Sequence, residues 1–223
     1  MRWFLASRFS LMFARSLVAA TLSYHVFIVT DSYAALGLLG LVEFFPVIPS
    51  SLVAGVVADR FDRKKILVAC ALASLVGSAL LGFLTLQDPD AVTGVLGLAF
   101  ALAIVASFAR PTNSALLPNL VPREIFQNAA VVASSSVQMA FISGPIAMGL
   151  MVGPFGLAAP YLLATALFAL AALFLLALPR VQAGDTRTPV NWEAMREGIS
   201  FVWNNRPILG SITLDMFAVI LDR

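Results

Sequence analysis

The sequence predicts an all-α membrane protein: six transmembrane helices in one bundle, a polar linker, and the beginning of a seventh helix. Three observations carry that expectation. The 223 residues are 60% hydrophobic and only 12% charged, whereas a soluble domain has roughly 45–50% apolar and about 25% charged residues. The mean hydropathy of +0.93 means more apolar surface than a water-soluble core can hide, so the solvent is lipid. The apolar residues also fall into runs long enough to cross a bilayer, separated by short polar or turn-forming breaks.

Taking about 20 apolar residues per crossing, the spans fall at roughly 10–30, 34–58, 66–86, 93–117, 128–152 and 157–178. The breaks are Thr30-Asp31-Ser32, the basic stretch that begins at Gly55, Gln87-Asp88-Pro89-Asp90, Pro118 to Asn128, and Gly153-Pro154-Phe155-Gly156. This makes residues 1–179 the six-helix unit. No small-residue cleavage pattern follows Val29, so the first apolar run is a retained span rather than a secretory signal. Residues 180–206 form a polar linker in which Trp192, Met195, Ile199, Val202 and Trp203 share one helical face. Such a helix is suited to lie along the membrane interface. The last segment, 207–223, is mostly apolar but broken by Asp215. Its fifteen or so residues after Pro207 reach about 22 Å, short of the ~30 Å hydrocarbon core, so a truncated seventh span is expected.

Lysine and arginine placement sets the topology. Arg2 and Arg8 precede span 1, Arg60, Arg63, Lys64 and Lys65 lie between spans 2 and 3, Arg123 lies between spans 4 and 5, and Arg180, Arg187, Arg196 and Arg206 follow span 6. The connections after spans 1, 3 and 5 hold Asp31, Asp88 and Asp90 and no Lys or Arg. The N-terminus is therefore expected in the cytoplasm. The net charge of +2 is dispersed along these loops, so nothing points to a nucleic-acid partner. The partner implied by composition is the lipid bilayer itself.

Cys70 is the single cysteine, which excludes an internal disulfide and a cysteine-based metal cluster. His25 has no second ligand at metal spacing and is expected to pack. No His-Glu-x-x-His, phosphate-cradling glycine loop or Ser/His/Asp set occurs, so neither an enzyme nor a cofactor or metal is expected.

Charges inside lipid are costly, roughly 2.5–3.5 kcal/mol each at the centre of a span even on lenient scales, and mark function. Three stand out as a candidate substrate or proton site: Arg15, Glu43 and Arg110. Arg15, near one end of span 1, is able to snorkel to the interface. Glu43 sits near mid-depth in span 2, where it can serve as a cation or proton site or as half of a structural ion pair. Arg110 precedes Pro111, whose missing N–H frees a carbonyl nearby. Span 5 repeats small residues at Ser136, Ala140 and Gly144, and span 3 at Ala69, Ala73 and Gly77, faces on which neighbouring helices approach closely. Gly144-Pro145, with Gly149 following, is expected to bend span 5.

The most specific motif is Gly55-Val-Val-Ala-Asp59-Arg60-Phe-Asp62-Arg63-Lys64-Lys65, between spans 2 and 3. It resembles the loop 2–3 signature of the major facilitator superfamily, departing at Asp62, where that signature usually has glycine. Phe45-Pro46, the run Phe108-Ala-Arg110-Pro111-Thr-Asn-Ser-Ala-Leu-Leu-Pro118, Val121-Pro-Arg-Glu124 and Glu197-Gly198 resemble the bacterial branch that includes the enterobactin exporter. Gly144-Pro145 with Gly149 resembles the span 5 motif of proton-coupled exporters, with Ala140 and Met148 at positions often held by glycine. The resemblance extends to about Val219.

It implies a secondary transporter of the inner membrane that works by alternating access, exporting small amphiphilic compounds such as drugs or siderophores against protons, between two six-helix bundles. Gly55, Asp59, Arg60, Arg63 and Lys64 would then form a cytoplasmic latch, with Asp59 accepting hydrogen bonds at a helix N-terminus of the other bundle. Only the first bundle is expected within these residues. Its transport partner would be a C-terminal six-helix bundle or a second copy of the chain. A non-transporting assembly partner and a lipid-moving carrier are the alternatives.

Overall fold

The computed structural model describes residues 2–120, 126–177 and 210. Two compact units divide the chain, Met1–Gly184 and Asp185–Arg223. In the second, Gly210 is described, and it is helical. The expected linker helix at 180–206, the expected seventh span at 207–223 apart from Gly210, and Arg123 lie outside the described residues.

The first unit contains α1 (Arg2–Thr30), α2 (Tyr33–Phe44), α3 (Val47–Arg60), α4 (Arg63–Gln87), α5 (Val92–Leu120), α6 (Phe126–Phe155) and α7 (Ala158–Ala177). Among the described residues there is no strand, and six helical segments are long and apolar enough to cross a membrane. Lipid offers the backbone no hydrogen bonds, so each segment satisfies its own as a helix. The class is all-α, as the composition requires.

The second expected span, 34–58, is two helices rather than one. Pro46 and Pro49 bring no N–H, which leaves the carbonyls of Val42 and Phe45 without their helical donors. Phe45 (φ −55°, ψ −45°) and Pro46 (φ −73°, ψ −17°) nevertheless stay right-handed, so α2 leads into α3 through a bend and not a reversal. Phe45 still donates its N–H to the Leu41 carbonyl (2.8 Å), and Ser50 to that of Pro46 (3.1 Å). By contrast α6 continues as one helix through Pro145 and Pro154. The chain reverses at Asp31 (φ 45°) and at Gly156 (φ 79°), the latter a left-handed conformation that glycine adopts without a side-chain clash.

The centre of the unit is α1 with α7. Helix α1 packs against α7 and α6, and α4 against α7 and α5. Helix α7 buries Ala158, Tyr161, Ala164, Phe168, Ala171 and Leu175, a three-and-four spacing that makes one stripe. Helix α4 turns Leu67, Cys70, Ala71, Ser74, Ser78, Leu81 and Thr85 inward, and Leu72, Val76, Phe83 and Leu86 outward. Small and hydroxyl-bearing side chains are thus inside and bulky apolar ones outside, the reverse of a water-soluble helix and the pattern by which helices pack in lipid.

The expected small-residue face of span 3 is displaced. Ala69 and Ala73 are exposed, while at Gly77 a Cβ would meet Leu102 of α5. One residue of offset turns a helix by about 100°, so a stripe starting at 70 or 71 faces a different neighbour from one starting at 69.

Several hydroxyls in the core are paired. Thr21, Thr85 and Thr165 donate their hydroxyls to carbonyls one turn back, those of Leu17, Leu81 and Tyr161, at 2.6–2.9 Å. Ser78 and Thr165 hydroxyls meet at 3.0 Å between α4 and α7. At one end of the bundle Trp3 stacks obliquely on Phe174, with ring centroids 5.5 Å apart. At the other end His25 joins α1 to α7 and to the α4–α5 turn.

Candidate functional site

Arg15, Glu43 and Arg110, far apart in sequence, line one cavity of about 190 Å³ between α1, α2, α3, α4, α5 and α7. Each is placed by its own helix. Arg15 lies on α1 one turn before Val18 and Ala19, which share the wall with it. Glu43 is on the last turn of α2, two residues before the Phe45-Pro46 bend. Arg110 is carried by α5, where Ala99, Ala103 and Ala106 recur at the same helical spacing and line the same cavity. Those alanines open the space, since any longer side chain on that face would fill it. Leu22, Val47, Leu102 and Phe168 complete an apolar wall, with Ser74 and Ser107 as its hydroxyls.

Arg15 therefore does not snorkel to the interface. Its side chain is half-buried, and its Nη2 atom is buried without a hydrogen-bond partner. The Arg110 charge acts on both Glu43 and Arg15, attracting the first and repelling the second. Of the two arginines, Arg110 is the one whose charge acts on the carboxylate. The serines and alanines of the wall went unremarked in the sequence; the signal for them was Ala99, Ala103, Ala106 and Arg110 falling on one face of span 4.

A second constellation joins α1 to α6. Pro145 has no N–H, so the Phe141 carbonyl one turn earlier has no helical donor. Ser16 supplies one, its hydroxyl donating to that carbonyl at 2.7 Å. Gly144 makes this possible: a Cβ there would meet the Ser16 hydroxyl and lie 2.7 Å from the Leu17 backbone nitrogen. Gly149 has no neighbour within 4 Å of where its Cβ would be, so it takes no part in the close approach.

In the basic motif, Asp62 caps α4, accepting a hydrogen bond from the Lys64 backbone N–H at 2.9 Å. The departure from the family's usual glycine thus has a local purpose, because aspartate satisfies an orphan donor at a helix start. The Lys64 ammonium donates to the Leu176 carbonyl at 2.9 Å, in the last turn of α7, where the helix dipole favours a cation. Arg63 opens α4. Gly55, Asp59 and Arg60 belong to α3, but their side chains lie outside the described residues.

His25 was expected to pack, and it also bonds. It is 1% exposed, with Nε2 2.8 Å from the Pro89 carbonyl and Nδ1 3.2 Å from the Tyr161 hydroxyl. A carbonyl only accepts, so Nε2 carries the proton toward Pro89. In the neutral ring Nδ1 then accepts from the tyrosine.

An all-helical, multi-pass membrane protein with a charged cavity between its helices is the class these features define. The chain belongs to the Major Facilitator Superfamily, whose family model matches residues 4–221. It is 28% identical over 122 residues to macrolide efflux protein A of Streptococcus pyogenes, a match that covers 55% of this chain and 30% of that protein. The same figures hold for the protein of that name in serotype M6. Among solved structures it resembles the POT family transporter PepTSo, with a TM-score of 0.65 and 18% identity, over 80% of this chain and 38% of that one. That likeness is one of fold. The chain spans roughly a third of the length of the relatives it matches.

Proposed function

We propose that the chain is the N-terminal bundle of a secondary active transporter, which exports small amphiphilic compounds by alternating access with protons as the coupling ion. The observation that supports it most is the convergence of Arg15, Glu43 and Arg110 on one cavity. Charges in lipid persist where they serve a substrate or ion path, and carriers bind substrate between their helix repeats. The efflux named for the Streptococcus pyogenes relatives favours the outward direction. The motifs favour the enterobactin-exporter-like branch, and the lysine and arginine pattern favours an inner-membrane protein with a cytoplasmic N-terminus. In this reading Glu43 carries the proton, and Gly55, Asp59, Arg60, Arg63 and Lys64 form the cytoplasmic latch.

Proton-driven uptake of a fluorescent amphiphile into inverted membrane vesicles tests this. The expected result is gradient-dependent uptake, from the chain alone or together with a complementary six-helix bundle, that is lost in Glu43→Gln and strongly reduced in Asp59→Asn with membrane insertion unchanged. Uptake that survives Glu43→Gln removes Glu43 as the coupling residue. No uptake in either arrangement removes the transporter reading.

A second reading is an assembly partner that transports nothing by itself. The spans beginning at Tyr33 and Ala130 are the least covered of the six, which leaves apolar helix faces for another bundle or a second copy. Flux that appears only when a second bundle is added favours it.

A further inference from the structure

The geometry points to an oxyanion head on an apolar body, an amphiphilic organic anion, as the ligand of the cavity between Arg15 and Arg110. This deepens the transport reading and rests on it for the word substrate, but the binding it asserts stands without transport.

Charge count comes first. Two guanidiniums and one carboxylate line the cavity, an excess of one positive charge. The Arg110 charge attracts Glu43 and repels Arg15, so Arg15 is the arginine on which an incoming anion relieves most. Its Nη2 is buried with no acceptor, and an unpaired buried cation is among the most costly groups a protein interior can hold. A carboxylate or phosphate oxygen is the acceptor a guanidinium fits best, because its donors are fixed in a planar fork. An ammonium ligand would meet the reverse balance, with two guanidiniums repelling it against the single carboxylate of Glu43.

The rest of the wall sets the body of the ligand. Val18, Leu22, Leu102 and Phe168 are apolar and require an apolar group next to the charged head. The volume, about 190 Å³, is below the roughly 300–1,000 Å³ of sites that enclose a drug-sized ligand. The described walls thus accommodate a head and a ring or short chain. Ser107 donates its hydroxyl to the Ile104 carbonyl at 2.6 Å, which leaves its oxygen lone pairs, and not its proton, for a ligand. The donors toward a ligand head are therefore the guanidiniums and the Ser74 hydroxyl.

The test compares one ring with three heads. Benzoate, benzyl alcohol and benzylammonium are titrated against the purified chain in phosphatidylcholine nanodiscs, with binding read by saturation-transfer NMR and calorimetry. Benzoate is expected to bind about tenfold or more tightly than benzylammonium, the worth of a charge-assisted hydrogen bond. Arg15→Gln is expected to abolish that preference while benzyl alcohol binding stays the same, and Glu43→Gln to tighten benzoate. Benzylammonium binding as well as benzoate, or no probe binding, overturns the proposal on the wild-type chain alone, whether or not the variants fold. Benzoate binding unchanged in a folded Arg15→Gln variant overturns it too.

A phosphatidylglycerol nanodisc separates the sources of the oxyanion: competition with benzoate assigns the head to a lipid, and its absence assigns it to a free acid. The two readings part cleanly. Benzoate held through Arg15 without any flux removes transport and keeps the anion site, whereas gradient-driven flux without an anion preference does the reverse.

Discussion

Helix α1 carries Arg15 and His25 ten residues apart, and the bundle treats them oppositely. His25 is fully buried between α7 and the α4–α5 turn with both ring nitrogens partnered. Arg15 lies on the wall of a cavity with a buried nitrogen that has no partner. A polar group inside lipid that is fully satisfied acts as a structural tie, because breaking it orphans groups on other elements. One left unsatisfied destabilises the bundle by its presence, and in the proposed reading the cavity in front of it is where a ligand enters. Burial of a charge or a ring is thus not by itself a sign of function.

His25→Leu should have the largest effect. It orphans the buried Tyr161 hydroxyl, at about 1–3 kcal/mol, and gives up the bond to the carbonyl of exposed Pro89, at about 0.5–1.5 kcal/mol, so the loss should total about 1.5–4.5 kcal/mol. Arg15→Met should move the other way, leaving thermal unfolding in detergent unchanged or raised, since it removes a guanidinium with a buried, unpartnered nitrogen. A large loss of stability in Arg15→Met would break the contrast between the two residues.

Gly144→Val comes next. It drives a side chain into Ser16 and the Leu17 backbone, and overpacking of this kind costs about 1–3 kcal/mol. Ser16→Ala keeps the spacing but leaves the Phe141 carbonyl without a donor, for about 1–2 kcal/mol in the same unfolding assay. If Ser16→Ala is neutral, the α1–α6 contact is packing alone.

The smallest effect belongs to the α4 cap. Asp62→Ala should lower stability by about 1 kcal/mol and Asp62→Gly by only a few tenths, following the general order of N-cap residues. Hydrogen exchange at the Lys64 amide reads this locally, and equal exchange in the two variants would argue against capping.

The fold class was legible because a composition that is 60% hydrophobic shows that the solvent is lipid, which allows helices or a closed barrel, and apolar runs of about 20 residues select helices. The bend at Phe45-Pro46 carried its own signal, two prolines three residues apart, although span length alone suggested a single helix. The small-residue face of α4 was misplaced because a repeat every four residues is as regular at 69 as at 70, and the neighbour chooses between them. Asp62 stood out as a departure from a motif, but its cap is visible only where the Lys64 N–H points.

The sequence by itself determined that the chain spans a membrane as helices, which charges stand inside those spans, and where prolines deprive carbonyls of donors. All of these depend on residue type and near-neighbour spacing. Tertiary structure alone decided that Arg15, Glu43 and Arg110 share one cavity, that Ser16 serves the carbonyl Pro145 frees, and that His25 is tied on both sides. Those pairings join residues from about 60 to more than 130 positions apart in the cases of Ser16 and His25, and only the packing of α1 against its neighbours brings them within a hydrogen bond.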